Sequence, residues 1–587
     1  MFKLLKNFNK KEVAIILLST ILIIGQVWLE LKMPDYMSEI TILVQSEGSQ
    51  MKDILINGGY MLACAFGSLI SAVITGYFIS NISARFSMNV RKKLFTKVEN
   101  LSMQEVKQFS PSSLITRTTN DITQVQMLIA MGLQLLIKAP ITAVWAVTKI
   151  LNKSVEWSVI TALAVAILLT TIGILMIIVL PRFKIVQKLT DKINGVTREN
   201  LTGIRVVRAF NAEKYQEDKF QEVNDKLTNQ QLFNQKTFAI LSPIMYLVMY
   251  FLTLAIYFIG AGLIKDALMA DKLQLFGDMV VFSSYAMQVI MSFLMLAMIF
   301  MMFPRASVSA NRINEVLDTK ISIKEGTLAE DITQERGTVE FKNVSFKYPD
   351  AKEYLLRNIS FKANQGETVA FIGSTGSGKS TLINLIPRFY DATEGTVLVD
   401  GVDVKEYTSE FLHNKIGYIP QKAVMFNGTV SSNVTYGDNG KPELTEKEIK
   451  KAIEVAQGKE FVEKMDNKYE SHIASGGTNV SGGQKQRLAI ARAIARDPEI
   501  YIFDDSFSAL DYKTDASLRS ALKKHTKNAT SIIVAQRIGT IMNADKIIVL
   551  DNGLCVGMGT HKELLKKCKV YKQIALSQLS KEELENA

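Results

Sequence analysis

Cysteine is scarce in this chain: three in 587 residues, Cys64, Cys555 and Cys568. Their spacings suit neither a metal site nor a disulfide framework, so both are excluded as organising elements, and the thiols read as core or incidental. A basic stripe and any nucleic-acid motif are also missing. The net charge of +11 is scattered and gathers beside hydrophobic segments, which points to a membrane surface and away from nucleic acid. The first apolar run follows Lys3, Lys6, Lys10 and Lys11 with no small-residue cleavage site after it, so it reads as a retained anchor. The apolar runs also lack the carboxylates and histidines that proton-coupled pumps place in mid-membrane. Lys138 is the clearest ionisable group in them, with Gln26 and Gln134 as polar companions. It is either an end residue whose amine reaches the interface or a substrate contact. The energy source has to be sought outside the membrane.

What is present falls into two unequal parts. Hydrophobic residues make up 48% of the chain, and much of that content lies in the first 303 residues as long runs bounded by charge. Six runs are long enough to cross ~30 Å of hydrocarbon as helices: residues 13–29, 54–79, 127–148, 158–180, 238–264 and 279–303. Basic clusters follow the second (Arg85, Arg91, Lys92, Lys93, Lys97), the fourth (Arg182, Lys184, Lys188) and the sixth (Arg305, Arg312). The segment between the first two carries Asp35, Glu39, Glu47 and Asp53 instead. The positive-inside rule then predicts a multi-pass protein of the cell membrane with both termini cytoplasmic. The cytoplasmic connections, residues 81–126 and 181–237, are far longer than turns. In the first, Phe86, Val90, Leu94, Val98 and Leu101 recur at helical spacing, which predicts that the membrane helices continue into the cytoplasm. Outside loops are short, above all residues 149–157. In the sixth run Met287, Met291, Met295, Met298 and Met302 fall at steps of four, four, three and four. Thioethers repack around apolar guests of different shape, so this face is a candidate substrate path; ordinary lipid-facing or helix-packing methionine is the alternative.

Composition changes after the sixth run. Residues 321–336 read as a linker, and from Gly337 alternating apolar residues (Val339, Phe341, Val344, Phe346) open a region of about 250 residues, enough for an independent α/β domain. Residues 369–381 read VAFIGSTGSGKST: a strand, a phosphate-binding loop and a helix. Gly373, Gly376 and Gly378 let the backbone amides of Ser374, Thr375, Ser377 and Thr381 turn towards phosphate; Lys379 supplies charge for the β- and γ-phosphates and Ser380 a hydroxyl for Mg²⁺. EIYIFD, residues 499–504, is a buried strand ending in a carboxylate, Asp504, where Mg²⁺ needs one. VSGGQKQ, residues 480–486, puts small residues ahead of a helix start and so forms a second anion-binding surface. One nucleotide does not need two such loops from one fold. Two domains that face each other, each loop closing on ATP held by the other, do.

These residues together resemble the ATP-binding cassette family, over essentially the whole chain. GSTGSGKS resembles its Walker A, IYIFD its Walker B, and VSGGQ its signature, with Val480 in place of the usual leucine. Gln421 resembles the glutamine that contacts Mg²⁺ and senses the membrane domain, and Ser508 to Asp511 the D-loop. Tyr348 resembles the aromatic that stacks on adenine, with a plain sheet residue as the alternative. Residues 113–121 (SLITRTTND) and 199–213 (ENLTGIRVVRAFNAE) look like the intracellular loops of bacterial multidrug exporters, whose coupling helices press on the cassettes. The resemblance implies an all-α six-helix transmembrane domain over residues 1–320, with long cytoplasmic extensions, and an α/β P-loop NTPase over residues 337–587. The implied activity is export driven by ATP and Mg²⁺, with hydrophobic small molecules as cargo.

Two positions depart from the pattern. The family's catalytic glutamate is Asp505 here, and its switch histidine is Gln536. Aspartate is one methylene shorter, and loss of a general base typically costs ~10² to 10⁴ in rate. The implied site therefore binds ATP and hydrolyses it slowly. The signature residues Ser481, Gly482, Gly483 and Gln484 are intact. That combination resembles one member of a heterodimeric multidrug exporter, in which these four residues complete the competent site on the partner half-transporter. A slow homodimeric lipid or peptide exporter and an ATP-gated regulatory subunit are the rival readings.

Overall fold

The computed structural model describes every residue except 1, 7, 47, 152–154, 269–270 and 580–587. Glu47 of the acidic segment and the centre of the short 149–157 connection thus lie outside the described residues. The chain divides into two compact units, Met1–Glu99 with Pro111–Thr319, and Asn100–Ser110 with Lys320–Ala587.

In the first unit, six helices among the described residues are long and apolar enough to span a membrane: Lys10–Gln45, Met51–Glu99, Pro111–Leu151, Val155–Thr202, Glu213–Asp266 and Lys272–Asp318. Helix is what these sequences require, because hydrocarbon offers no partner to a free N–H or C=O. The second helix has 49 residues, about 74 Å at 1.5 Å per residue, more than twice the ~30 Å of a hydrocarbon core. The expected helical extensions are therefore real. Buried Trp157, Phe282 and Tyr285 anchor the interior, with the Trp157 and Phe282 rings 5.2 Å apart. Leu17, Val73 and Phe258 point outward, Phe258 with 80% of its surface free, an apolar exterior that suits lipid.

The first span continues well past Leu29, and this corrects the reading of its polar residues. Glu30 lies inside the helix, and its Oε1 accepts from Lys138 Nζ at 2.9 Å, Gln26 Nε2 at 2.9 Å and Ser68 Oγ at 3.1 Å. Lys138 is thus an inward, paired cation and not an end residue reaching for the interface. Five residues on, Asp35 accepts from the Tyr285 hydroxyl at 2.6 Å and Lys149 Nζ at 2.9 Å.

The third helix includes two π-helical turns, Arg117–Asp121 and Leu128–Gly132. At the first, Arg117 reaches Glu315 at 2.7 Å and the Arg312 carbonyl at 2.8 Å, while Ser309 donates to Asp121 Oδ1 at 2.9 Å. The SLITRTTND segment is thereby fastened to the exit of the sixth helix. The piece of the first connection that groups with the cassette is Asn100–Ser110, just ahead of it.

The second unit holds twelve strands among its described residues: β1 Val339–Phe346, β2 Leu356–Ala363, β3 Thr368–Gly373, β4 Glu394–Val399, β5 Val402–Asp403, β6 Ile416–Ile419, β7 Gly428–Thr429, β8 His472–Ile473, β9 Ile500–Asp504, β10 Thr530–Val534, β11 Lys546–Asp551 and β12 Leu554–Gly559. An antiparallel sheet runs β2-β1-β4-β5. The larger sheet runs β12-β11-β3-β10-β9-β6, parallel except for β12. Its central strands, such as β9 and β10, are buried throughout, as the near-continuous apolar runs of a covered parallel sheet require.

Candidate nucleotide site

Parallel register places the chemistry. Strand β10 lies between β3 and β9, with Val534 opposite both Phe371 and Asp504, and Ile419 at the end of β6 lies opposite Phe503. Four neighbouring carboxyl ends therefore deliver the Gly373 loop, Gln536, Asp504 with Asp505, and Gln421 to one rim of the sheet. Open α/β sheets bind ligands at that rim.

The loop after β3 folds tightly. A Cβ on Gly373 would stand 2.0 Å from the Leu550 carbonyl oxygen, so only glycine fits, and Gly378 has φ +94° at the start of the helix Lys379–Ile383. Lys379 Nζ donates to the carbonyls of Gly373 at 2.9 Å and Ser374 at 2.8 Å, arching the loop over its own amine, with Ser377 Oγ at 3.4 Å. Burial lowers the Lys379 pKa, offset in part by Asp505 and Asp504. A cavity of about 390 Å³ opens here, lined by residues that include Thr375, Gly376, Gly378, Lys379, Ser380 and Thr381, with Gln421, Asp505 and Gln536 across from them.

Ser380 donates to Asp504 Oδ1 at 2.7 Å. Burial raises the Asp504 pKa, and the neighbouring Asp505 charge adds to the rise. This hydroxyl and carboxylate pair fits Mg²⁺, which takes one or two protein oxygens and completes its shell with water and phosphate.

Asp505 is the distinctive group. Its backbone is left-handed at φ +47°, and its N–H donates to the Val534 carbonyl at 3.0 Å. One carboxylate oxygen, Oδ2, accepts from Gln536 Nε2 at 2.8 Å and from Gln421 Nε2 at 3.2 Å. Burial raises its pKa, against the hydrogen bonds and the charges of Lys379 and Arg537. Both sequence departures thus meet at a single oxygen held by two amides.

The signature lies elsewhere on the unit. Ser481 caps the helix Gly482–Ala495, accepting from Gln484 N at 3.3 Å, while Gln484 Oε1 accepts from Ser481 N at 2.8 Å. The Gln484 side chain therefore caps its own helix. Gly482 has open space where a Cβ would stand, while a Cβ on Gly483 would lie 3.4 Å from the Ala509 carbonyl oxygen.

Tyr348 stands just past β1 with its hydroxyl 3.0 Å from Thr381 Oγ1, and it is not among the residues lining the cavity. Sequence reading missed its neighbour: Lys107 Nζ lies 4.7 Å from the Tyr348 ring centre and 5.2 Å from that of Tyr390. Nothing in the spacing of residues so far apart could have found that contact. Along the sixth helix, Met291 and Met298 are exposed and Met287 and Met295 half-buried, on a different face from buried Phe282, Tyr285 and Val289.

Six apolar spanning helices joined to an α/β P-loop unit with a glycine-rich, serine-capped helix start define half of a nucleotide-driven membrane transporter. The description "ABC transporter transmembrane region" matches residues 16–293, and "ABC transporter" matches residues 356–508. The chain is 38% identical over 521 residues to the uncharacterized ABC transporter ATP-binding protein Rv1273c of Mycobacterium tuberculosis, covering 89% of this chain and 87% of the relative. It is 32% identical to the putative multidrug export ATP-binding/permease protein YgaD of Bacillus subtilis, covering 85% and 84%. It is 31% identical to an ATP-dependent lipid A-core flippase of Pseudomonas aeruginosa, covering 83% and 79%. The chain belongs to the ABC transporter family, as an exporter half-transporter whose ATPase is coupled to transport. Its fold matches a bacterial Atm1-family ABC exporter solved with ATP bound, at TM-score 0.78 and 23% identity over 97% of this chain and 98% of that one.

Proposed function

We propose that this chain is the slow-site half of a heterodimeric exporter of amphipathic drugs or similar apolar compounds. The observation that carries the reading is the clamp on Asp505: two glutamine amides converge on Oδ2. Those two donors take up the lone pairs of Oδ2, so the oxygen is not open to a water even though burial raises the carboxyl's pKa, and a glutamine at position 536 cannot take imidazole's charge. Beside it, Lys379 holds the β- and γ-phosphates, Ser380 and Asp504 hold Mg²⁺, and Tyr348 stacks on the base. Mg²⁺ supplies charge neutralisation of the phosphates when bound. This chain's own site therefore retains ATP longer than it cleaves it.

The intact signature supports the other half of the proposal. Ser481, Gly482 and Gly483 present helix-start amides to the γ-phosphate in the partner's site, while Gln484 fixes that helix start. The partner carries glutamate and histidine where this chain has Asp505 and Gln536. The cassette and both termini face the cytoplasm, as the charge asymmetry favours, and the open methionine face lines the cargo path.

A homodimeric lipid exporter is the second reading. The near-equal identity to a multidrug export protein and to a lipid A-core flippase favours neither cargo. The test is transport of several cationic dyes and of fluorescent lipid by cells expressing this chain alone, with the half-transporter that co-purifies with it, or neither. Dye efflux that needs both chains is expected. Dye efflux or lipid translocation by this chain alone at the full rate would overturn the heterodimer.

A further inference from the structure

The Asn100–Ser110 segment comes from the first cytoplasmic connection and belongs to the cassette unit. It is anchored there: buried Glu105 accepts from the Ser102 and Ser322 backbone amides at 2.9 and 3.3 Å, and the Ser102 and Ser322 hydroxyls are 3.2 Å apart. This aims Lys107 at two tyrosines whose planes meet at 89° with centres 5.4 Å apart. The ammonium stands 4.7 Å from the Tyr348 centre and 5.2 Å from the Tyr390 centre, within range of both π faces. Tyr348 also has its hydroxyl tied to Thr381, a residue of the cavity wall, while its ring stays off that wall.

We propose that Lys107 is a latch on the base-stacking tyrosine: the purine of ATP and the Asn100–Ser110 segment compete for Tyr348. A purine that takes the ring face covered by the Lys107 ammonium has to displace it. Base occupancy and seating of this segment are then opposed. The latch reads the base and not the triphosphate, which Lys379 and the loop amides bind on their own. The inference rests on the reading of Tyr348 as the base contact.

The test uses the full chain in lipid nanodiscs, with ATP and inorganic tripolyphosphate titrated calorimetrically. The readout is the ratio of the two dissociation constants, because removing a cation near the site weakens both ligands alike. Lys107→Met should shift that ratio about 3- to 10-fold in favour of ATP, the range a single cation-π contact spans. Lys107→Arg, which keeps a cation over the rings, should restore the wild-type ratio. On a Tyr348→Leu background, Lys107→Met should leave the ratio unchanged. An unchanged ratio in Lys107→Met, while Tyr348→Leu weakens ATP, would overturn the latch and leave the base contact standing. Wild-type ATP affinity in Tyr348→Leu would overturn the base contact and the latch with it.

Discussion

If ATP is sandwiched between two cassettes, Asp505 and Gly482 act on different nucleotides, and changing each should give unequal losses. Asp505→Ala removes a carboxylate whose Oδ2 is already held by Gln421 and Gln536. A working general base is worth ~10² to 10⁴, but a clamped one contributes little, so the complex should keep more than about half of its ATPase. Gly482→Glu acts at the first residue of the helix Gly482–Ala495, where a Cβ meets nothing within 4 Å, so the variant folds without strain. Its carboxylate would stand where a γ-phosphate docks. Two unit charges 4 Å apart repel by about 4 kcal/mol at an effective dielectric of ~20, or about 10³ in affinity. Solvent screening that removed two-thirds of this would still leave a tenfold loss. The assay is ATPase of purified complexes in which only this chain carries the change. Equal losses from the two variants would refute the division of the sites.

Met291→Ala and Met298→Ala should change which dyes are exported more than they change basal ATPase; a uniform fall in transport of every dye would instead mark these methionines as packing residues. A cysteine placed at Gly440 should stay unlabelled by an impermeant thiol reagent in intact cells, while one at Ser49 should react; the reverse pattern would invert the topology. Glu30→Gln leaves Lys138 buried without its counter-charge and should cost about 2 to 4 kcal/mol of stability, read as a lower melting temperature in detergent. Adding Lys138→Met should recover most of that loss, and simple addition of the two losses would mean the pair is not coupled.

The residues proposed to hold phosphate could be picked out because their chemistry is written in consecutive positions. A strand, a glycine loop, a lysine and a hydroxyl occupy 369–381, and the sheet only had to bring Asp504 to Ser380, which it does at 2.7 Å. The proposed signature stood out for the same reason, and its last residue, Gln484, is taken up in capping its own helix at Ser481. Tyr348 was placed by its distance from the phosphate loop, and that distance says nothing about the state of its ring. Whether the ring faces the cavity or lies under Lys107 depends on a side chain 241 positions earlier, and no local pattern encodes it. The joining of the two departures was equally hidden. Gln421, Asp505 and Gln536 come from three strand ends, and only the order β10-β9-β6 explains why their side chains meet.

The membrane charges show a different limit. Hydropathy scanning closes a span at the first cluster of charge, so the sequence Glu30 to Asp35 ended the first run and left Lys138 without a visible partner. A charge inside a helix bundle is tolerable when an opposite charge and further hydrogen bonds meet it there. Glu30 obtains Lys138, Gln26 and Ser68, and Asp35 obtains Lys149 and Tyr285, from helices distant in sequence. These carboxylates do not reopen the case for a proton-coupled pump. A relay carboxylate has to exchange partners along a path during the cycle, and each of these is held by a lysine and by further donors from within the bundle. With both pairs fixed in this way, they serve to hold the first, third and sixth helices in register, and the free energy for transport is drawn from nucleotide at the far end of the chain.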